Sequence, residues 1–382
     1  MGPAGLMAGS QLAKSGHDVH FFDHKKAAGR KFLVAGNGGF NLTHSENLED
    51  FILKYDQELI QKSVLNFSNH KWITFLNKEL KINTYIGSSG KIFPEKGIKP
   101  ITVLYNWLNY LTHYGATFHY EHQLLNFDHQ YLYLNHLGNP LQLKFDVIIL
   151  ALGGGSWKIT GSTGEWMSLF EENQIKCEPF QASNSGFEFE NWAKFQELEG
   201  QTIKNIRVRY QSTEKEGDIV VSNYGLEGTP IYYLNRAYRE HPNEVLFIDF
   251  KPTKTIDEIV AILTKAKNKT EGLKQLKLSK TTIQLLKLRL TKDEFTSISS
   301  LSSCIKNLKL QPFGLRPIDE VISTSGGVSI DEINDSYQLK KFPTIYACGE
   351  MINWDAPTGG YLIQGCVSSG VSVAEGVEKN TL

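Results

Sequence analysis

M-G-P-A-G-L-M-A-G-S-Q-L-A-K-S-G-H-D-V-H-F-F-D, residues 1–23, is the stretch whose reading decides the fold. Leu6, Met7, Ala8, Leu12 and Ala13 supply one apolar face to a helix over residues 3–15, and Gly16 stops it as a C′ glycine can. Asp18 to Asp23 follows at once as a short buried strand. A helix that runs straight into a strand is the second half of a βαβ unit. In that unit Gly2 and Gly5 stand as the second and third glycines of G-x-G-x-x-G, with Pro3 and Ala4 between them. The second glycine lets a pyrophosphate reach the backbone. The third lets the helix pack on the sheet, and the helix start offers free N–H groups and the positive end of a dipole. Asp23, 21 residues after Gly2, is placed to accept hydrogen bonds from ribose hydroxyls. The strand and first glycine that normally open such a unit do not precede Met1, and the reading expects a false start or a truncation.

Working outward, 382 residues suit two or three domains rather than one core. Forty basic residues balance forty-one acidic ones, so no overall field draws the chain to nucleic acid or anionic lipid. Cys177, Cys304, Cys348 and Cys366 show no C-x-x-C spacing, which argues against a zinc site or a disulfide framework and fits a reducing cytoplasm. No apolar run approaches the roughly 20 residues of a membrane span. The expected protein is therefore soluble and cytoplasmic, with no membrane or nucleic-acid partner.

Residues 58–80 and 100–114 carry helical apolar stripes, with Trp72, Phe75 and Leu76 in the first and Leu104, Trp107 and Leu111 in the second. Residues 118–143 alternate around the turn Leu137-Gly-Asn-Pro140 and read as an antiparallel meander. D-V-I-I-L-A-L, residues 146–152, is apolar on both faces and is expected in the middle of a parallel sheet. Short strands and turns fill 183–249, helical periodicity fills 255–309, and a buried strand at 342–348 leads to a last helix over 361–377. The domain reading is 1–182 and 323–382 as two parts of a dinucleotide-binding domain. Between them, 183–322 is a β-rich barrel with a helical subdomain at about 255–309.

The remaining cofactor signals lie at loop glycines. Arg30 and Lys31 precede the glycine-rich segment Ala35-Gly-Asn-Gly-Gly-Phe-Asn41, in which Gly38, Gly39 and Asn41 would bring backbone and polar donors to a pyrophosphate or flavin. Two strands end in small-residue turns, Ala151-Leu-Gly-Gly-Gly155 and Ala347-Cys-Gly-Glu350, which marks Gly153, Gly349 and Glu350, since parallel sheets bind ligands at such ends. Thr358-Gly-Gly-Tyr361 opens the last helix, adding Gly359, Gly360 and Tyr361, whose N-terminal donors would stabilise negative charge on a reduced flavin.

With these residues in view, the chain resembles the BaiN-like, or aminoacetone oxidase-like, family of FAD-dependent oxidoreductases. The segments G-R-K-F-L-V-A-G-N-G-G-F-N-L-T-H (29–44) and A-C-G-E-M-I-N-W-D-A-P-T-G-G-Y-L-I-Q-G-C (347–366) carry the resemblance most specifically. G-S-S-G-K-I-F-P (87–94), A-L-G-G-G-S-W (151–157) and S-T-S-G-G-V (323–328) support it, so that it spans nearly the whole chain. The resemblance implies an α/β fold in which a Rossmann-type FAD-binding domain, of the glutathione reductase-like flavoprotein kind, is split by a β-barrel plus helical insertion. It carries cofactor contacts to Gly2, Gly5, Asp23, Arg30, Lys31, Gly38, Asn41, Gly349, Glu350 and Gly360. Asn37 departs from the pattern, standing where many relatives carry another glycine or an arginine.

The implied chemistry is hydride or electron transfer at FAD on a small-molecule substrate that the sequence does not specify. Gly153-Gly-Gly155 lacks dinucleotide spacing, so NAD(P)H stays open only as an electron donor without a Rossmann domain of its own. His113, His119 and His122 have no carboxylate or thiol cluster beside them and read as surface or packing residues, with no metal. Tyr361, His44 and Tyr85 are candidates for a general base, and none is assigned. Three readings stay open: an FAD-dependent oxidoreductase, an FAD-binding regulator without turnover, and a fragment that no longer holds FAD.

Overall fold

Pro3 starts the first helix, Pro3–Lys14, at a position where a missing N–H costs nothing and the fixed φ is already helical. The helix ends where Gly16 turns to φ +93°, with the Gly16 and His17 N–H groups donating to the Ala13 and Leu12 carbonyls. The structure, a computed structural model, describes residues 1–35 and 39–381 and falls into two units. One is Met1–Gln181 with Ser323–Leu382, and the other is Ala182–Ile322.

The first unit's strands begin with β1 (His20–Phe22), β2 (Thr43–His44), β3 (Thr84–Ile86), β4 (Lys91–Pro94) and β5 (Thr117–His119). β6 (His122–Phe127), β7 (Tyr131–His136), β8 (Asn139–Lys144), β9 (Ile148–Leu150) and β10 (Cys177–Ser183) follow. β1 pairs in parallel with β5, β2–β4–β3 form a small antiparallel sheet, and β6–β7–β8 form the expected meander. Leu137 and Gly138, at φ +53° and +91°, make the two-residue hairpin turn, and Pro140 lies on the edge strand where a lost N–H does no harm.

In the second unit, β11 (Phe187–Phe189), β12 (Thr202–Tyr210), β13 (Thr213–Val221), β14 (Gly225–Glu227), β15 (Leu246–Asp249), β16 (Leu308–Leu310) and β17 (Pro312–Leu315) make one sheet. Its order is β16-β15-β12-β13-β14-β11-β17. The two edge strands are separated in sequence by Gln311 alone, so the sheet must roll until its edges meet within about 7.6 Å, two Cα steps. Ile206, Val208, Tyr210, Ile219 and Val221 fill it. Helices between Ile256 and Asn307 cover it, two of them opened by capping boxes, Thr255 with Glu258 and Thr291 with Glu294.

Back in the first unit, β18 (Ser323–Val328) pairs with β10, and β19 (Ile345–Ala347) pairs in parallel with β9. The last helix, Tyr361–Thr381, crosses the first helix closely. No helix among the described residues is long and apolar enough to cross a membrane.

Two sequence expectations change. The helix expected over 58–80 is two helices, Glu58–Asn66 and Asn69–Lys78. It breaks because the Phe67 carbonyl accepts from Gln364 Nε2 at 2.9 Å and from Ser368 Oγ at 2.8 Å, on the last helix. Among the described residues, the strand expected in mid-sheet, β9, has a partner on one side only.

The meander is tied to β1 and β5 by a file of imidazoles. His20 Nδ1 lies 3.1 Å from His119 Nε2, His119 meets His122 edge-on, and His122 stacks on His136 at 4.2 Å. Desolvation, then the charges of His20 and His122, push His119 below its ordinary value, and desolvation does the same to His24. A group whose folded pKa lies below its unfolded value stabilises the fold above the unfolded value, about 6.5, and loses that contribution as pH falls through the folded one. The thermal midpoint is therefore expected to drop on going from pH 7.5 to pH 5.5. His119→Phe, which keeps a ring in the stack, is expected to flatten that dependence in a pH series of thermal melts.

Candidate functional site

A cleft of about 1460 Å³ runs through the first unit, from the start of the first helix to the edges of β1 and β9. It exceeds the roughly 300–1,000 Å³ usual for a small-molecule site. Gly2, Pro3, Ala4, Gly5, Asp23, Arg30, Lys31, Gly153, Gly349 and Glu350 all line it.

The two fingerprint glycines differ as their expected jobs require. A Cβ built on Gly2 meets nothing within 4 Å, so that side of Gly2 opens onto free space. A Cβ on Gly5 would stand 3.2 Å from that of Ala151, where the helix presses on the end of β9. Pro3 has no N–H, and Leu6 N–H already donates to the Gly2 carbonyl, which leaves the Ala4 and Gly5 N–H groups without acceptors inside the helix. Gly349, at φ +80°, serves close approach too, because a Cβ there would stand 2.7 Å from that of Ala4.

Charge is concentrated around this opening. Lys31 Nζ donates to Ser156 Oγ at 2.9 Å and to Glu350 Oε2 at 3.1 Å, pinning the ammonium between two strand-end loops. Arg30 donates to the Ile159 carbonyl at 3.0 Å. Asp23 sits just past β1. Its carboxylate pairs with the Met1 ammonium and accepts from the Lys25 N–H at 2.8 Å. Cys348 and Cys366 also line the cleft, and burial pushes Cys348 up to about 12 and Cys366 well above its ordinary value. Burial thus favours the thiol over the thiolate at both positions.

The other expected site residues lie elsewhere. Gly38 is outside the described residues, and Gly39 and Asn41 do not line the cleft. Gly359, Gly360 and Tyr361 form the start of the last helix, beside β2 rather than at the cleft. A Cβ on Gly360 would stand 2.4 Å from Thr43 Cα, and Tyr361 is buried, its hydroxyl donating to Glu46 Oε1 at 2.5 Å. His44 stacks on the Tyr361 ring and accepts a backbone N–H from Glu46, while Tyr85 packs on Phe93.

Sequence reasoning did not single out Ser156, Ser162 or Trp166. Ser162 Oγ donates to the Gly154 carbonyl and Trp166 Nε1 to the Gly153 carbonyl, so both brace the glycine turn after β9. Only Ser156 carried a signal, as the residue that closes the glycine run. Among the described residues no cluster of His, Cys, Asp or Glu is arranged to hold a metal ion.

Comparison with known proteins bears on the family and the fold. A family described as HI0933-like protein Rossmann domain matches residues 1–376. A ribosomal RNA dihydrouridine synthase of Haemophilus influenzae is 22% identical over 394 aligned positions, covering 99% of this chain and 97% of the relative. Among solved structures, the open conformation of a flavocytochrome c3 fumarate reductase aligns over 100% of this chain and 77% of that one, at 13% identity and a TM-score of 0.52. A 3-ketosteroid-delta4-(5alpha)-dehydrogenase from Rhodococcus jostii RHA1 aligns over 98% of this chain and 95% of that one, at 11% identity and the same TM-score of 0.52. At these identities the structural matches speak to the fold.

Proposed function

The chain belongs to the HI0933-like Rossmann-domain family, the BaiN-like group of FAD-binding flavoproteins, and from that premise we propose that it is an oxidoreductase passing hydride between FAD and a small organic substrate. The observation that carries this reading is the ligand-sized space before Gly2, at a helix start with unpaired N–H groups.

The residues present fit the cofactor. Gly2, Ala4 and Gly5 would take the pyrophosphate, since backbone donors and a helix dipole both favour an anion there. Asp23 would take the adenosine ribose, whose hydroxyls would replace the Met1 ammonium on its carboxylate. Lys31 and Glu350, locked together, would flank the chain beyond the pyrophosphate, and Gly153 would let the ligand pass close to the turn after β9. When bound, FAD supplies two-electron chemistry that no side chain offers. The protein's own share is to hold the Lys31 side chain in place between Ser156 and Glu350 and to wall the cleft with buried apolar groups.

A second reading, reduction of a uracil base in RNA, draws support from the name of the Haemophilus relative and from the lysine-rich helices of the second unit. Residues 251–309 carry thirteen basic side chains against five acidic ones, and Lys265, Lys267, Lys274, Lys280, Lys287 and Lys292 are exposed. An excess of exposed lysines suits a phosphate backbone. Salt-dependent binding of ribosomal RNA fragments would favour this reading, and its absence would leave the small-molecule one.

The visible spectrum of the desalted protein, followed by titration with FAD, tests the cofactor. Flavin absorbance that stays with the protein supports the proposal, and no binding at any FAD concentration would sink it. Asp23→Ala is expected to weaken FAD affinity by about 1.5–3 kcal/mol, the range for a hydrogen bond to a charged group. Unchanged affinity would remove Asp23 from the ribose site.

A further inference from the structure

We propose that the indole of Trp157 is a stacking platform for the substrate, and that the substrate carries a flat conjugated ring with a negative charge. The inference rests on the oxidoreductase reading and names the substrate class for it.

Backbone strain singles this residue out. Trp157 has φ +63° and ψ +59°. The left-handed region crowds Cβ against the following carbonyl, so a bulky residue persists there only where its surroundings hold it, and such positions gather at functional sites. Among the described residues the other aromatic side chain at positive φ is Tyr337, and packing accounts for it. Tyr337 is fully buried in the first unit's core, with its hydroxyl 2.6 Å from Ser63 Oγ. Trp157 has no such explanation. It is half-buried and belongs to none of the apolar clusters of the described residues, and Ile159, two residues on, is 79% exposed. The turn that carries them is nonetheless fixed. Thr160 donates twice to the Trp157 carbonyl, from its N–H at 2.8 Å and its Oγ1 at 2.7 Å. Lys31 holds Ser156 and Arg30 holds the Ile159 carbonyl, so the strained backbone is locked from both sides.

Position ties the platform to the reaction. The turn lies along residues 24–31, since a Cβ on Gly161 would stand 2.9 Å from His24 Nε2 while Ser156 meets Lys31. Trp157 follows Ser156 and so stands at the Lys31 end, away from Asp23. With the ribose at Asp23 and the pyrophosphate at Gly2, that is the end toward which the flavin would extend. Neither Trp157 nor Ile159 lines the cleft, so the platform stands beside the cofactor's space without filling it. An indole face takes flat π systems and cations. Lys158 is the one charge in residues 153–164, and the Arg30 guanidinium lies against the same turn, both exposed. Two positive charges disfavour a cation on that face and favour a ring that bears an anionic group.

The test compares the whole chain with Trp157→Gly and Trp157→Phe, using 2-naphthoate as a flat anionic probe and its saturated counterpart decahydro-2-naphthoate as the control. By calorimetry the parent is expected to bind 2-naphthoate at least about 10-fold more tightly than the saturated probe. Trp157→Phe is expected to keep that preference and Trp157→Gly to lose it. The thermal midpoint of Trp157→Gly is expected to lie within about 2 °C of the parent or above it, because glycine adopts a positive φ freely and no apolar cluster loses a member. A midpoint lower by more than about 5 °C would make the indole a packing residue. Equal 2-naphthoate affinity in the parent and Trp157→Gly would take the indole out of ligand binding, and either result overturns the proposal. Each affinity is measured with and without added FAD. Failure of the cofactor reading then shows as no flavin bound, and failure of this one as no difference between the parent and Trp157→Gly.

Discussion

Gly370→Val is expected to unfold the first unit under conditions that the parent chain tolerates. Gly370 lies where the last helix crosses the first, and a Cβ there would stand 2.4 Å from the Ala4 carbonyl oxygen and 3.1 Å from the Ala8 nitrogen. Two main chains meet at this point, so no side chain can swing away to make room. Overpacking a core usually costs about 1–3 kcal/mol, and collision with a backbone belongs at or above the upper end. A loss of about 3 kcal/mol or more is a large part of the roughly 5–15 kcal/mol that holds an ordinary domain together. The first helix also carries Gly2 and Gly5, so any shift that relieves the clash displaces the cofactor cradle with it. Urea denaturation followed by tryptophan fluorescence reads the effect, since Trp72 and Trp107 are buried in this unit. An unchanged midpoint would mean that the two helices do not approach this closely.

Gly2→Val should do the reverse, sparing the fold and abolishing tight FAD binding. Gly2 has φ −112° and ψ −178°, extended backbone in which a β-branched residue is at ease, and nothing lies within 4 Å of a Cβ placed there. The stability change is expected to stay within about 0.5 kcal/mol, as at other sites without neighbours. A valine would occupy the space that a pyrophosphate must enter to reach the Ala4 and Gly5 N–H groups. The expected loss of FAD affinity is about 2–3 kcal/mol or more, roughly 30- to 150-fold, measured by quenching of flavin fluorescence. Parent-like affinity in a folded Gly2→Val chain would move the pyrophosphate away from Gly2. Taken together, the two glycine variants separate a position kept small for packing from one kept small for a ligand.

What the sequence determined by itself was local. Pro3 and Gly16 mark the ends of the first helix because a missing N–H and a positive φ act on the backbone at that spot and need no distant partner. The meander and its turn were legible for the same reason, and so was the return of a buried strand at 345–347. The Gly2, Gly5 and Asp23 part of the candidate site could be read because a dinucleotide fingerprint is a spacing along the chain.

Only the tertiary structure decided the rest. The break at Phe67 exists because Gln364 and Ser368, some three hundred residues away, capture its carbonyl. That Gly360 is held against Thr43 could not be read locally, since what a glycine makes room for depends on which backbone comes to it. Lys31, in the short helix Arg30–Val34, meets Glu350 and Ser156 only because the segments that follow β19 and β9 converge on it. The run at 146–152 was apolar enough for mid-sheet, but whether a strand has one neighbour or two depends on which chain segments lie beside it. That is a matter of pairing across space, and no local pattern encodes it.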